Sequence, residues 1–255
     1  MVKAILVVGL AGSGKTLLSL SLYEWFKIKK QNVSVLNLDP GVIKVPYSPS
    51  IDIRKYINMW DLMEKYGIGP NSALIISMDL MLDYIEKINN EINSLNPDLL
   101  IVDTPGQMEI FAYRVSGKYF VDMLDVDEKM LIYVMDGVFV KDPRNLVSNI
   151  LLASSVKMRF GLPMLIVLNK VDLMNKDEER TIKRLIKSSR YLEKELGKHY
   201  EPDEVDFLVK TFRYLKRYIG LTDYVPISAV TLENIDILVQ ALTRVLFGGD
   251  EYIEL

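Results

Sequence analysis

The sequence predicts an α/β protein built on a doubly wound, mostly parallel β-sheet. Short runs of apolar, often β-branched residues alternate along the chain with stretches of helical spacing, as in sheets joined by crossover helices. The predicted strands are apolar nearly throughout, which is typical of strands that helices cover on both faces. They lie at 4–9, 33–38, 99–104, 130–136, 164–169 and 224–228.

Helices are predicted between these strands. They lie near 15–29, 72–95, 107–118, 143–159, 177–196, 203–219 and 232–246, and a shorter helical stretch covers 57–65. No linker rich in Pro, Gly or Ser divides the 255 residues, so we expect a single domain, 1–255. Two connections exceed a minimal crossover, approximately 40–95 and 173–223, and we interpret both as helical insertions.

Composition narrows the chemistry that is open to this chain. The net charge of −3 gives no basic footprint for nucleic acid or an anionic membrane, and no apolar run is long enough to span a bilayer. Cysteine is absent, which suits a reducing cytoplasm. The single histidine, His199, lies in a charged run and is expected to be solvated. Any catalysis must therefore use Lys, Thr, Asp, Gln, Asn and the backbone.

The first predicted strand ends in GLAGSGKT (9–16), which matches the pattern G-x-x-x-x-G-K-[ST]. The glycines let backbone N–H groups surround phosphate oxygens, the lysine reaches the β- and γ-phosphates, and the hydroxyl ligates Mg²⁺. The helix that follows adds the positive end of its dipole. The residues expected to bind nucleotide here are Gly12, Ser13, Gly14, Lys15, Thr16 and Leu17.

Carboxylates follow the second and third predicted strands, where ligands of such sheets bind. Asp39 is either a turn carboxylate next to Pro40 or a group that positions water or Mg²⁺. Asp103 is expected to hold Mg²⁺ through water, and the Gly106 N–H to contact a γ-phosphate. Gln107 is either a water-orienting residue or simply the start of a helix. If the first and third strands are neighbours, both aspartates lie near the γ-phosphate.

The ends of the fifth and sixth predicted strands indicate a guanine base. In NKVD (169–172), Asp172 can accept hydrogen bonds from two guanine N–H groups, a pattern that adenine does not offer. Lys170 can lie over the base, and the Ala229 N–H can meet the guanine oxygen. The residues assigned to the base are Asn169, Lys170, Asp172, Ser228, Ala229 and Val230.

The segment YGIGPNSAL (66–74) interrupts a helical pattern. Glycine, proline and asparagine in succession predict a turn between two helices, and the residues alone indicate nothing more. Together with the motifs above, however, this turn makes the chain resemble the GPN-loop GTPases, a dimeric family in the SIMIBI class of P-loop proteins. The resemblance covers nearly the whole chain, through GLAGSGKT, NLDPG, PYSPSIDIR, YGIGPN, DTPGQMEIF, NKVD and SAV in family order.

The resemblance implies a homodimer or pseudo-symmetric dimer in which Gly69, Pro70 and Asn71 of one chain enter the nucleotide site of the other. Asn71 would then donate to the γ-phosphate or to the attacking water. Many dimeric SIMIBI proteins carry a lysine as the second residue of the phosphate loop, where this chain has Leu10. That departure favours an uncharged group acting in trans. Arg54 is a candidate for a loop salt bridge or for ordinary surface pairing.

The function predicted from these residues is Mg²⁺-dependent hydrolysis of GTP to GDP and phosphate, with Lys15, Asp39, Asn71 and Gln107 as catalytic residues and Thr16, Asp39 and Asp103 at the metal. The nucleotide would open and close the dimer. An alternative is an assembly or chaperone-like scaffold whose hydrolysis is incidental, because the resemblance implies RNA polymerase subunits as clients. An ATP-dependent small-molecule kinase is disfavoured, since it has no use for NKVD.

Two peripheral segments are less informative. The stretch 203–220 places apolar residues on one stripe and basic residues elsewhere, which predicts a core-facing helix, with a protein-docking surface as the alternative. The acidic tail GGDEYIEL (248–255) is expected to be a frayed terminus or a partner-binding tail.

Overall fold

The computed structural model describes residues 1–246 of the chain, so the acidic tail lies outside the described residues. Its strands are β1 (Lys3–Gly9), β2 (Val33–Asn37), β3 (Ile51–Asp52), β4 (Leu99–Asp103), β5 (Glu128–Asp136), β6 (Met164–Asn169) and β7 (Val225–Pro226). All pair in parallel in one sheet with the order β3-β2-β4-β1-β5-β6-β7. The predicted doubly wound parallel sheet is confirmed.

Helices cover both faces of this sheet. They are α1 (Lys15–Ile28), α2 (Met59–Tyr66), α3 (Pro70–Leu80), α4 (Ile85–Leu95), α5 (Met108–Tyr113), α6 (Val115–Met123), α7 (Pro143–Phe160), α8 (Lys176–Lys187), α9 (Ser189–Leu196), α10 (Pro202–Tyr218) and α11 (Ile235–Leu246). Alternate residues of β1 enter two different cores. Leu6 packs on the face that α3 to α10 cover, and Val7 packs on the face that α1 and α11 cover.

The position of β1 determines where the sequence motifs meet. It lies between β4 and β5, with Val7 beside Asp103 and Gly9 beside Val134. The expected neighbourhood of the first and third predicted strands, β1 and β4, is therefore confirmed. The carboxyl ends of β1, β2 and β4 lie at one edge, so the loops that follow them share one site.

Three predicted helices are in fact pairs of helices. The predicted helix 72–95 is interrupted by a 3-10 turn, Met81–Tyr84, between α3 and α4. The predicted helix 107–118 breaks at Arg114, which is extended and pairs with Asp79 of α3. The predicted helix 177–196 breaks at Ser188, whose hydroxyl accepts from the Tyr191 N–H at 3.2 Å and so begins α9. In the last two cases a tertiary contact or a cap overrides the continuous apolar pattern.

The edges of the sheet also differ from the prediction. The edge strand β3 was not predicted, because two residues are too short to show an alternating pattern. The predicted helix 232–246 begins only at Ile235, since Leu232 and Asn234 have positive φ, 65° and 58°, which no helix accommodates. Within residues 1–246, no helix combines the length and apolar character that crossing a membrane requires.

Candidate nucleotide site

The loop between β1 and α1 forms the centre of the candidate site. Gly12 and Gly14 have φ values of 77° and 97°, a backbone conformation that L side chains rarely adopt. At Gly14 an added Cβ would also lie 2.3 Å from Asn169 Nδ2. Glycine is thus required here both for the curvature of the loop and for the approach of β6. Lys15 follows directly as the first residue of α1, so the loop lies at a helix N-terminus that favours anions.

Lys15 is buried and lies across the loop. Its Nζ donates to the carbonyl oxygens of Gly9 at 2.9 Å, Leu10 at 3.1 Å and Gly106 at 3.2 Å. Burial lowers the pKa of Lys15, and the carboxylates of Asp103 and Asp39 oppose this effect. The ammonium therefore links the loop after β1 to the loop after β4, and it has three acceptors that phosphate oxygens could replace.

Asp39 joins the loop after β2 to the loop after β4. Its Oδ2 accepts from the Gly106 N–H at 3.1 Å, and its Oδ1 accepts from the Gly41 N–H at 2.9 Å. The Gly41 contact is the turn geometry that the sequence offered as one interpretation. The Gly106 contact belongs to the other interpretation, because it places Asp39 at the candidate phosphate site. The same side chain thus forms the turn after β2 and contacts the loop after β4.

Asp103 ends β4 and is almost completely buried. Its Oδ2 accepts from the Tyr47 hydroxyl at 2.7 Å, whereas its Oδ1 is buried with no hydrogen-bond partner in the described part of the chain. Burial raises the pKa of Asp103 to about 6, against the effects of Tyr47, Thr16 and Lys15, which favour the ionised form. A buried carboxylate oxygen without a partner is costly, which makes Asp103 a candidate to bind a ligand or an ordered water.

The residues around Asp103 fit a magnesium ion that arrives with a nucleotide. Residues 1–246 contain no cluster of three or more His, Cys, Asp or Glu side chains able to hold a metal unaided. Magnesium in nucleotide sites usually takes only one or two protein oxygens and fills its remaining positions with water and phosphate. The unpartnered Asp103 Oδ1 and the half-buried Thr16 hydroxyl suit that chemistry.

Asn169 connects the phosphate loop to the predicted base site. Its Nδ2 donates to the Ser13 carbonyl at 2.9 Å, and its Oδ1 accepts from the Ala229 N–H at 3.0 Å. The loop 228–230 is held further by the Ser228 Oγ, which accepts from the Thr231 N–H at 3.0 Å. Val230 is 67% exposed at its tip. Asn169 thus fixes the loops after β1, β6 and β7 relative to one another.

Lys170 and Asp172 follow Asn169 at the surface. Lys170 has a positive φ of 69°, and its Nζ is paired with Asp136 Oδ2 at 2.6 Å. Asp172 lies in a 3-10 turn and is exposed, so its carboxylate is available to a ligand. Asp136 was not predicted as a site residue, although it ends β5 and the rule that ligands bind at strand ends could have identified it.

Two predicted catalytic residues are less engaged with the phosphate loop. Gln107 is the half-buried residue that precedes α5, and its side chain makes no capping hydrogen bond. Gly69 is extended, Pro70 is the first residue of α3, and Asn71 is exposed without a hydrogen bond to the described residues. The predicted turn between two helices is confirmed, and Asn71 is free to contact another molecule.

The loop between β2 and β3 is more ordered by side chains than the sequence indicated. Arg54 donates to Asp52 and to the carbonyl oxygens of Val42 and Ile43 at 3.0 and 3.1 Å, so of the two interpretations that the sequence left open the structure favours the loop salt bridge. Tyr47, in contrast, was missed. It lies in PYSPSIDIR, but a lone tyrosine has no spacing rule that points to a distant aspartate.

Comparison with known proteins agrees with this geometry. A family model described as a conserved hypothetical ATP binding protein matches residues 7–245. GPN-loop GTPase 1 of Dictyostelium discoideum is 36% identical over 174 residues, which cover 67% of this chain but only 44% of that relative. A GPN-loop GTPase of Pyrococcus abyssi is 32% identical over 190 residues, 74% of this chain and 75% of that relative. The crystal structure of a GTPase from Pyrococcus abyssi in its apo form matches with a TM-score of 0.84 at 27% identity, over 95% of this chain and 97% of that one.

The all-parallel sheet and the glycine-rich loop between β1 and α1 define a P-loop NTPase fold. Such a fold accommodates either adenine or guanine nucleotides, and the description of the family model mentions ATP. The relatives are named GTPases, in agreement with NKVD at 169–172. The chain belongs to the GPN-loop GTPase family, which confirms the resemblance seen in its motifs.

Proposed function

We propose that the protein binds GTP with Mg²⁺ at the carboxyl edge of the sheet and hydrolyses it to GDP and phosphate. One observation carries the proposal: both backbone polar groups of Gly106 are engaged by residues of the phosphate site. Lys15 Nζ lies 3.2 Å from the Gly106 oxygen, and Asp39 Oδ2 lies 3.1 Å from the Gly106 nitrogen. Three loops that carry nucleotide motifs therefore meet at one residue.

Each residue has a distinct role toward the phosphates. The N–H groups of residues 12–17 surround the α- and β-phosphates, and Lys15 exchanges its carbonyl acceptors for β- and γ-oxygens. Mg²⁺, when bound, neutralises charge that develops on the phosphate oxygens during hydrolysis. Thr16 would ligate it directly, and Asp103 would hold it through water.

Gly106 supplies the nucleotide-dependent switch. A γ-phosphate oxygen would compete with Asp39 Oδ2 for the Gly106 N–H. Once released, Asp39 can accept a hydrogen bond from the attacking water, with Gln107 orienting it. GDP has no γ-phosphate, so Asp39 regains the Gly106 N–H after phosphate release. The hydrogen bond between Asp39 and the Gly106 N–H is thus broken and re-formed once in each cycle. A bound γ-phosphate shifts the population toward the state in which this bond is broken.

The site is completed across a homodimer by the GPN loop. Asn71 is exposed and unpartnered within the described chain, and it lies in the first turn of α3. An amide at the end of a rigid element can be placed accurately against the γ-phosphate or the attacking water of the partner's GTP. A dimer that both chains close around GTP would open after hydrolysis. We expect this single-domain homodimer to act in the cytoplasm.

The experiment that tests the activity measures phosphate release from GTP, ATP and xanthosine triphosphate in the presence of Mg²⁺. Wild-type protein should prefer GTP, and Asp172→Asn should shift the preference toward xanthosine triphosphate. Xanthine has a carbonyl oxygen where guanine has its 2-amino group, and the amide introduced by the substitution can donate a hydrogen bond to that oxygen. Lys15→Ala should abolish release and serves as the inactive control. Preference for ATP by the wild type, or unaltered base preference in Asp172→Asn, would contradict the assignment.

A second candidate function is that of an assembly scaffold for a protein client. The apolar stripe of α10 packs into the core as predicted, through Val205 and Phe212, but Phe207 and Tyr214 are 65% and 71% exposed. Two exposed aromatic residues seven positions apart lie on one helix face and favour a protein contact. RNA polymerase subunits are the clients that family resemblance suggests. If a hydrolysis-deficient variant still supports the client complex, the scaffold role is favoured over the GTPase cycle.

A further inference from the structure

A buried hydrogen bond links two segments of the site that are far apart in sequence. Tyr47 lies in the loop between β2 and β3, and its hydroxyl donates to Asp103 Oδ2 at the end of β4 over 2.7 Å. The tyrosine is 8% exposed and packs with the core on the α1 side of the sheet. Because phenylalanine would fill the same space without burying a hydroxyl, the ring alone does not account for a tyrosine at this position.

The bond leaves the two Asp103 oxygens in different situations. Oδ2 has a partner in Tyr47, whereas Oδ1 is buried and makes no hydrogen bond of ordinary geometry in residues 1–246, although the Thr16 side chain is near enough to favour the ionised carboxylate. The terminal torsion of an aspartate is broad, so a carboxylate without fixed partners samples many orientations. Donation to one oxygen restricts this rotation and thereby determines where the other oxygen lies. The carboxylate is therefore oriented in advance of any ligand.

The loop around Tyr47 is itself held in place. Arg54 ties Val42 and Ile43 to Asp52, and the Ser50 hydroxyl accepts from the Val35 N–H at 3.2 Å. Tyr47 consequently approaches Asp103 from a restrained loop rather than from a mobile one. The same loop carries Asp39 at its start. This one segment therefore contacts the end of β4 through Tyr47 and the loop after β4 through Asp39.

We propose that Tyr47 is a positioning residue for the metal–nucleotide site, acting through Asp103. Its hydroxyl engages Oδ2 and thereby presents Oδ1 to Mg²⁺ or to a water that Mg²⁺ binds. Residues that hydrogen-bond to a metal ligand without touching the metal commonly change metal affinity by 10- to 100-fold when they are substituted. The proposal rests on the proposed function, because it requires that Asp103 serves a magnesium ion bound with the nucleotide.

The test measures the release of a fluorescent GDP analogue as a function of free Mg²⁺. In Tyr47→Phe the Mg²⁺ concentration that half-maximally retains the nucleotide should rise about tenfold. Release in the presence of EDTA should be unchanged, since the phosphate loop is intact. Tyr133→Phe is the matched control: it removes another buried hydroxyl, one without a partner in the described part of the chain, and should leave the Mg²⁺ requirement unchanged.

A double-mutant cycle separates action through Asp103 from general loosening. In an Asp103→Ala background, which removes the acceptor of the Tyr47 hydroxyl, Tyr47→Phe should change the Mg²⁺ requirement no further, whereas an equal tenfold change there would overturn the proposal. If Tyr47→Phe does not fold, Tyr47→Met provides a second donor-free side chain with the same expected result. If the wild type requires Mg²⁺ and neither Tyr47 variant changes that requirement, the role of Tyr47 is overturned while the proposed function stands. Wild-type release that ignores Mg²⁺ overturns the proposed function together with this role.

Discussion

The side-chain amide of Asn169 donates to the Ser13 carbonyl at 2.9 Å while its oxygen accepts from the Ala229 N–H at 3.0 Å. Asn169 is 2% exposed, so neither bond competes with solvent. A residue of the predicted guanine motif therefore holds the phosphate loop and the loop 228–230 together. Its contribution is to the shape of the site rather than to a contact with the base alone.

Asn169→Ala should lower both stability and nucleotide affinity. Removing two buried hydrogen bonds and leaving two backbone groups unsatisfied should reduce the free energy of unfolding by about 2–4 kcal/mol. Denaturant unfolding of the nucleotide-free protein measures this loss. Asn145→Ala is the matched control, since that amide makes one exposed hydrogen bond, to Phe139, and should cost much less. Equal costs for the two variants would contradict the linking role.

Asp39→Asn should separate binding from hydrolysis. The asparagine cannot accept from both Gly41 and Gly106, so the Gly106 N–H becomes available to a γ-phosphate without competition. GTP should bind as tightly as before or more tightly, while hydrolysis should fall by about 10²-fold or more, because the group that accepts from water is lost. Equilibrium binding and single-turnover hydrolysis are measured together. A parallel loss of both would indicate that Asp39 is only structural.

Asp103 should make the stability of the nucleotide- and metal-free protein depend on pH. Burial raises the pKa of Asp103 to about 6 from 3.8. Between pH 3.8 and about pH 6 the folded state therefore keeps a proton on Asp103 that the unfolded state has lost. As pH rises through about 6, the folded state must ionise this buried carboxyl, and the free energy of unfolding falls. Above pH 6, Asp103→Asn should be more stable than wild type by up to about 3 kcal/mol.

The comparison uses denaturant unfolding in EDTA at pH 4.5 and pH 7.5. The advantage of Asp103→Asn over wild type should shrink markedly at the lower pH, where the wild-type carboxyl is protonated. An advantage of Asp103→Asn that is identical at both pH values would contradict the assignment.

Asn71→Ala should retain GTP binding and lose most turnover. Its side chain is exposed and makes no hydrogen bond within residues 1–246, so its removal leaves the folded chain intact. The loss should appear in kcat rather than in KM, because the proposed contact serves the reacting water or γ-phosphate. Ser72→Ala, at the next exposed position of α3, is the control and should turn over normally. Unchanged turnover in Asn71→Ala would show that the loop has no catalytic part.

The sequence was sufficient to predict which motifs share an edge, but not how their side chains are oriented. The glycine-rich loop, Asp103 and NKVD each follow a strand, and parallel pairing alone brings them together. Tyr47 could not be placed in this way, because it follows no strand directly and its partner, Asp103, is distant in sequence and is reached only through tertiary packing. Asp136 could have been placed, since it ends β5. The break at Arg114 has a tertiary origin as well, because Arg114 pairs with Asp79 of another helix. The break at Ser188 is local, since the Ser188 hydroxyl caps α9.

The most direct test of the central claim measures GTP turnover per chain, with Mg²⁺, across a dilution series that brackets the dissociation constant of the dimer. If each site is completed by Asn71 of the neighbouring chain, specific activity should fall on dilution in step with the dimer fraction. Constant specific activity at concentrations where sedimentation shows monomers would contradict the account, because the site would then be complete within one chain.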